Sequence, residues 1–172
     1  MYYLYKVEDT IRVPPNRVGK DLKQAVLDIA REEYERRVLK DIGFVLGVFS
    51  PEILGDGKVI HNDPGVYYSV RFDLLAYKPE VNEVVYGVIK DVVEFGAFTI
   101  IGPFEALLHI SQIGAEKYTY NKKEGILVSS GKKNTIKPGD KLIGKISTAS
   151  MKAVSDVKIG ITLRANGLGM IR

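Results

Sequence analysis

The sequence predicts an α+β protein of two small domains, in which a helix packed on an antiparallel sheet precedes a five-stranded β-barrel. The first half contains a single long segment whose apolar residues recur at helical spacing, and the second half consists almost wholly of short strand-like segments. Pro79 interrupts the pattern between the halves. We therefore place the boundary within Lys78 to Asn82, which gives domains at residues 1–80 and 81–172.

The first domain opens with a predicted strand and a predicted helix. The strand runs from Tyr3 to Val13 and ends at two prolines, which cannot donate the hydrogen bonds of a sheet. Apolar residues at helical spacing predict a helix from Asp21 to Val38. Asp21 lies where the helix dipole favours an acid, and Arg36 and Arg37 lie at the end that favours a base.

Short strands joined by turns follow the helix. Gly55, Asp56 and Gly57 have the composition of a hairpin turn between two strands. The "NDPG" segment at 62–65 predicts a second turn, and a further strand begins at Val66. These elements complete the helix-on-sheet domain.

The second domain contains five predicted strands in about 85 residues, which is the number found in an OB-fold, a partly open barrel that often binds oligonucleotides. Their sequences are "EVVYGVIKDVVEF", "GAFTIIG", "EALLHIS", "KLIGKISTAS" and "VKIGITLR". A lysine-rich stretch at 116–140 is expected to be a long connection within the barrel.

Composition and charge exclude several classes of function. The chain has no cysteine, which rules out disulfides, thiolate metal sites and a cysteine nucleophile. It has no apolar run of membrane-spanning length and no signal-peptide pattern, so we expect a soluble cytoplasmic protein without membrane contact. Residues 1–80 carry a formal charge of −1 and residues 81–172 carry +5, so the second domain is the candidate for binding a polyanion.

Three aromatic side chains of the second domain are candidates for stacking on bases. Phe95 and Phe98 are three residues apart, so in a regular strand their side chains would lie on opposite faces. A bulge at Gly96 would bring both rings to one face, where they would form a stacking platform with His109. The alternative is that the two phenylalanines belong to the barrel core and that His109 is an ordinary strand histidine.

The spacing of these residues carries a family resemblance. The segments "GVIKDVVEFGAF" at 87–98, "LLHIS" at 107–111 and "PGDKLIGK" at 138–145 resemble the S-one RNA-binding OB domain. The resemblance implies that Phe95, Phe98 and His109 lie on the RNA-binding surface and that Lys145 occupies a basic position on it. Charge and strand position alone add Lys90. Ala106 stands where the family usually has glycine.

The whole chain resembles a family of archaeal RNA polymerase subunits called E-prime, the counterparts of the seventh subunit of RNA polymerase II. The resemblance rests on the segments "IRVPP" at 11–15, "KDIGFVL" at 40–46 and "GDGKV" at 55–59, which precede the S-one domain. It implies a non-catalytic stalk subunit that forms a heterodimer with the small F subunit of RNA polymerase, docks on the polymerase core near the clamp and binds emerging single-stranded RNA. The family's docking loop corresponds here to Asn62, Asp63, Pro64 and Gly65, where its usual Gly-Asp-Gly is Asn-Asp-Pro.

Other functions compete with this interpretation. Asp56, His61 and Asp63 could form a metal or acid–base site, but turns recruit such residues for backbone reasons, and no catalytic motif or cofactor fingerprint is present. We therefore predict neither an enzyme nor a cofactor. Tyr118 and Tyr120 form either a second stacking surface or a loop fixed to the barrel. A free-standing translation or RNA-decay factor and a protein-binding scaffold remain the alternative functions.

Overall fold

The computed structural model describes residues 1–19, 21–114, 116–131 and 134–171. It confirms an α+β fold, and the chain divides into two compact units, Met1–Lys78 and Pro79–Arg172. Within the described ranges, no helix is long and apolar enough to cross a membrane.

The first unit is an antiparallel sheet with one helix. Its strands are β1 (Tyr2–Val13), β2 (Val38–Leu39), β3 (Gly43–Ile53), β4 (Lys58–Val59) and β5 (Val66–Tyr77), and its helix is α1 (Leu22–Tyr34). The sheet order is β1-β5-β3-β2, with β4 also paired to β5. Val26 and Ala30 of the helix are buried in the core that contains Phe72 and Leu74 of the sheet. Burial of these apolar side chains holds the helix on the sheet.

The helix begins as predicted and ends four residues early. The Asp21 side chain accepts hydrogen bonds from the backbone N–H groups of Lys23 and Gln24, at 3.1 and 3.4 Å. The predicted end at Val38, with Arg36 and Arg37 in the last turn, is wrong. Arg36 has a positive φ of 61°, and its N–H donates to the carbonyl of Val45 in β3. Hydrogen bonding to the sheet therefore replaces the last helical turn.

The segment at residues 55–57 is not the predicted hairpin turn. Ile53 at the end of β3 and Lys58 at the start of β4 both pair with β5, opposite Val70 and Tyr67. The long strand β3 and the short strand β4 thus follow one another along the same edge of β5, and the glycine-containing segment connects them. The second predicted turn does join a hairpin, because it connects β4 to β5.

The second unit is a closed barrel with additional strands. The barrel strands are β6 (Val84–Val93), β7 (Gly96–Ile101), β8 (Phe104–His109), β12 (Lys141–Ala153) and β13 (Asp156–Thr162). They pair in the order β13-β8-β7-β6-β12, and pairing of β12 with β13 closes the barrel. The five predicted strands are therefore present. A further strand, β14 (Gly169–Ile171), pairs with β12.

The lysine-rich stretch is a folded insertion and not only a connection. It contains β9 (Tyr118–Asn121), β10 (Ile126–Ser129) and β11 (Thr135–Ile136), which form a separate three-stranded sheet. Residues 132 and 133 of the stretch lie outside the described residues. Leu127 and Ile136 are buried in the barrel core, and Tyr118 and Tyr120 pack against that core. The packing of these tyrosines favours a fixed insertion over a second stacking surface.

Gly96 allows β7 to approach β8 closely. A Cβ atom at this position would lie 2.2 Å from the carbonyl oxygen of Leu108 and 3.0 Å from the Cα atom of His109. Both neighbours are backbone atoms of β8, so they can move only if the two strands separate.

We expect Gly96→Ala to destabilise the second unit by about 1 to 3 kcal/mol, the usual cost of inserting a methyl group into a packed site. Denaturant unfolding of the full chain measures the effect. Gly114→Ala is the matched control, because no atom of the described residues, apart from its chain neighbours, lies within 4 Å of its Cβ position and its φ is not in the left-handed region. Equal unfolding midpoints for the two variants would contradict the close approach.

Candidate nucleic-acid interface

Phe95 and Phe98 lie together on the outer surface of the barrel. Their ring centroids are 6.3 Å apart and their planes are nearly perpendicular, at 88°, which is the favourable edge-to-face arrangement. Phe95 is 50% exposed, and neither ring belongs to the buried core of the barrel. The core alternative is therefore wrong for both phenylalanines.

The two rings meet for a reason different from the predicted bulge at Gly96. Val93 pairs with Gly96, so Glu94 and Phe95 form a two-residue turn between β6 and β7. The turn frees Phe95 from the alternation of the strand, and the N–H of Ile110 donates to its carbonyl oxygen at 2.9 Å. The bulge lies in β6 instead, where Lys90 is the extra residue between the Ile89–Thr99 and Asp91–Phe98 pairs.

His109 lies beside this turn, at the exposed end of β8. It pairs with Gly96, which has no side chain to cover the imidazole ring. The backbone N–H of Ser111 donates to Nδ1 at 3.2 Å, and the Ser111 hydroxyl lies 2.8 Å from the same atom. In the neutral ring, Nδ1 is therefore the acceptor and the proton resides on Nε2.

The two predicted lysines occupy different places. Lys90 reaches the carboxylate of Glu105, which raises the pKa of the Lys90 ammonium group through this hydrogen bond. Lys145 lies opposite Val84, whereas Phe98 lies opposite Asp91, about 20 Å further along β6. Lys90 therefore lies beside the aromatic cluster, by which we mean Phe95, Phe98 and His109. Lys145 lies away from the two phenylalanines.

Lys145 lies closer to His109 than to the two phenylalanines, because β13 lies between β12 and β8. It pairs with Thr162, and the parallel register of β8 and β13 places Thr162 next to His109. Two strand spacings, about 10 Å, thus separate the backbones of Lys145 and His109. Lys145 lies at the margin of the surface that carries His109. Ala106 of β8 is buried, so the methyl group that replaces the usual glycine packs inside the barrel.

The predicted docking loop, Asn62 to Gly65, is held by the carboxylate of Asp63. Arg12 donates to it twice, from Nε to Oδ2 at 2.8 Å and from Nη2 to Oδ1 at 2.6 Å. The Tyr67 hydroxyl donates to Oδ2 at 2.6 Å, and the Gly65 N–H donates to Oδ1 at 2.8 Å. The Arg12 guanidinium, followed by the Tyr67 hydroxyl, lowers the pKa of Asp63 well below its usual range.

These contacts identify Arg12 of β1 and Tyr67 of β5 as residues that hold the loop, a role that the sequence did not reveal. Arg12 is 51 residues from Asp63, and only the register of β1 with β5 brings them together. The carboxylate of Asp63 is saturated by these donors, which argues against a metal or acid–base role. Within the described part of the chain, no three His, Asp or Glu side chains form a group that could hold a metal ion.

Comparisons with known proteins match one family model to most of the first unit and another to most of the second unit. Residues 8–64 match the family model described as "SHS2 domain found in N terminus of Rpb7p/Rpc25p/MJ0397", and residues 78–153 match the model "S1 RNA binding domain".

Two archaeal relatives match nearly the whole chain, and a eukaryotic relative matches part of it. The DNA-directed RNA polymerase subunit Rpo7 of Sulfolobus acidocaldarius is 33% identical over 99% of this chain and 93% of that protein. Rpo7 of Saccharolobus shibatae is 36% identical over 99% of this chain and 96% of that protein. The RNA polymerase III subunit rpc8 of Schizosaccharomyces pombe is 29% identical over 61% of this chain and 52% of that protein.

We expect Asp63→Asn to loosen the docking loop, because the neutral amide loses the charge-assisted pair with Arg12. Hydrogen exchange at the Gly65 amide should become faster. Asp56→Asn is the control, since it removes an exposed carboxylate from the preceding segment of the same unit. An unchanged exchange rate at Gly65 in Asp63→Asn would contradict the role of the carboxylate.

The lowered pKa of Asp63 also predicts how the loop responds to acid. A carboxyl group with a lowered pKa stabilises the folded state at pH values above its ordinary pKa of 3.8. This contribution is lost as the pH falls below 3.8 and through the lowered value. Gly65 should therefore remain protected from exchange at about pH 5 and lose protection only in strong acid. Loss of protection already in mild acid would show that the pair with Arg12 does not form.

Proposed function

Because the chain belongs to the Rpo7 family of DNA-directed RNA polymerase subunits, we propose that it forms part of a stalk on an archaeal polymerase. There it pairs with the small F subunit and docks on the polymerase core near the clamp through residues 1–80, which include the Asn62–Gly65 loop. Residues 81–172 bind the emerging single-stranded RNA. The chain is a non-catalytic subunit, and its place is in the cytoplasm with the polymerase.

The Phe95–Phe98 pair, in which Phe95 is exposed and Phe98 is half-buried, is the observation that carries the RNA-binding part of this proposal. Two phenylalanine rings outside a barrel core leave apolar surface in water, and such surface commonly marks a binding site. Bases stack on aromatic rings with little dependence on sequence, and the proton on His109 Nε2 is a hydrogen-bond donor next to the turn. Lys90, and Lys145 at the margin, supply positive charge for phosphate groups.

The docking part of the proposal rests on the β4–β5 hairpin. Val59 and Ile60 precede the docking loop and are exposed, while Asp63 faces inward to Arg12 and Tyr67. The hairpin therefore presents the apolar side chains of Val59 and Ile60 and the fixed backbone of the docking loop, and not the Asp63 carboxylate, to the polymerase core.

We expect the double substitution Phe95→Ala and Phe98→Ala to weaken RNA binding by at least about tenfold, given roughly 1 to 3 kcal/mol for each stacked base. Fluorescence anisotropy with labelled single-stranded RNA homopolymers measures the affinity. Phe49→Ala is the control, because Phe49 is similarly exposed but lies in the first unit. The melting temperature of the double variant should stay close to that of the wild type, since neither ring is in the core.

An unchanged affinity in this double variant would show that RNA does not stack on the two rings. A large fall in melting temperature would show that the rings support the fold and would remove the argument from exposure. Unequal losses among the homopolymers would indicate base-specific contacts instead of general stacking.

Co-expression with an archaeal F subunit should yield a one-to-one heterodimer, which light scattering after size-exclusion chromatography would detect. The heterodimer should then join polymerase that lacks its stalk, and the Phe95→Ala, Phe98→Ala variant should do so equally well. A chain that remains monomeric and does not join the polymerase would contradict the stalk assignment. It would favour a free-standing translation or RNA-decay factor.

A further inference from the structure

Two lysine–glutamate pairs flank the Phe95–Phe98 pair on the barrel surface. One is Lys90 with Glu105, and the other is Lys122 with Glu94. Each lysine is thus held near the aromatic pair by a carboxylate of the same chain.

The Lys90–Glu105 pair passes over β7 beside Phe98. Lys90 is the bulged residue of β6 next to the Asp91–Phe98 pair, and Glu105 lies in β8 opposite Ile100. Because β7 lies between β6 and β8 in the sheet, the ion pair must cross the strand that carries Phe98. Both side chains are about half exposed.

The Lys122–Glu94 pair joins the insertion to the aromatic turn. Lys122 follows β9, at the turn before β10, and its Nζ lies 2.6 Å from Oε1 of Glu94. Glu94 is the neighbour of Phe95 in the turn between β6 and β7. The lysine side chain is 77% exposed. The insertion therefore brings a cation to the aromatic cluster from a distant part of the chain.

Such exposed pairs contribute little to stability, because water screens the attraction and the side chains lose freedom. A phosphate group of RNA can compete with a carboxylate for an exposed lysine. Each lysine that binds a phosphate group also releases counterions from the RNA, which favours binding. Placement of both pairs beside the stacking surface is therefore better explained by ligand binding than by folding.

We propose that Glu94 and Glu105 are internal competitors of RNA phosphate, which hold Lys122 and Lys90 beside the aromatic pair until single-stranded RNA displaces them. This inference rests on the RNA-binding function proposed above and adds Lys122 to the interface. The glutamates keep the lysines in position and at the same time limit the affinity, which favours release of a moving transcript.

Anisotropy titrations of the full chain with a labelled oligouridylate test this competition. Glu94→Gln and Glu105→Gln should each bind about 1.5- to 5-fold more tightly than the wild type, the range that corresponds to an exposed ion pair. Lys122→Gln should bind more weakly and should reduce the dependence of log K on log salt by about 0.7, the value for one phosphate contact on a single strand.

A charge control and a double variant separate competition from a general change of charge. Asp156→Asn removes one negative charge from another lysine pair of the same unit, at the end of β13 remote from His109, and should leave the affinity unchanged. In the Lys122→Gln background, Glu94→Gln should give no gain, because the lysine that it would release is absent.

Three outcomes would overturn the inference while leaving the proposed function in place. The first is an RNA affinity equal to that of the wild type in both Glu94→Gln and Glu105→Gln. The second is a gain in affinity in Asp156→Asn equal to theirs. The third is a gain in affinity from Glu94→Gln that persists in the Lys122→Gln background. Weaker binding in Glu94→Gln and Glu105→Gln would also overturn it, because the glutamates would then only position the lysines. If the wild type does not bind the oligonucleotide at all, the proposed RNA-binding function itself fails.

Discussion

The close approach of β7 to β8 at Gly96 is the constraint on which the candidate RNA interface depends. The absence of a side chain lets the backbone of Gly96 lie against Leu108 and His109, and the Ile110 N–H then holds the carbonyl of Phe95. Phe95, Phe98 and His109 come from three different elements, and this contact sets the distances among them. The surface is therefore fixed before any ligand arrives.

The sequence predicted those features of the fold that depend on local chemistry. The α+β class, the five barrel strands and the capping of the helix by Asp21 are all visible in short segments. The end of the helix depends on a hydrogen bond between Arg36 and Val45, and the path from β3 to β4 depends on pairing with β5. Each of these partners lies nine residues away. That distance is beyond the reach of helix propensity and turn composition, so both predictions were wrong.

The same distinction applies to the candidate site. Motif spacing identified the residues of the aromatic cluster, although the reason that Phe95 and Phe98 share a face proved to be a turn and not a bulge. The contacts of Lys90, Lys122 and Asp63 join different strands or loops. No local pattern marks Glu105, Glu94 or Arg12 as their partners, because strand register and the packing of separate turns and loops create these pairs.

The pairing of β1 with β5 has a consequence for folding during synthesis. Its twelve residue pairs run from Val13 with Val66 to Tyr2 with Tyr77, so these contacts have high sequence separation and form slowly. On the ribosome, β5 must emerge before β1 can pair with it. Until then β1 is an unpaired edge that is open to aggregation. All strand pairing of this unit lies within Met1–Lys78, so it can be completed before the barrel is made.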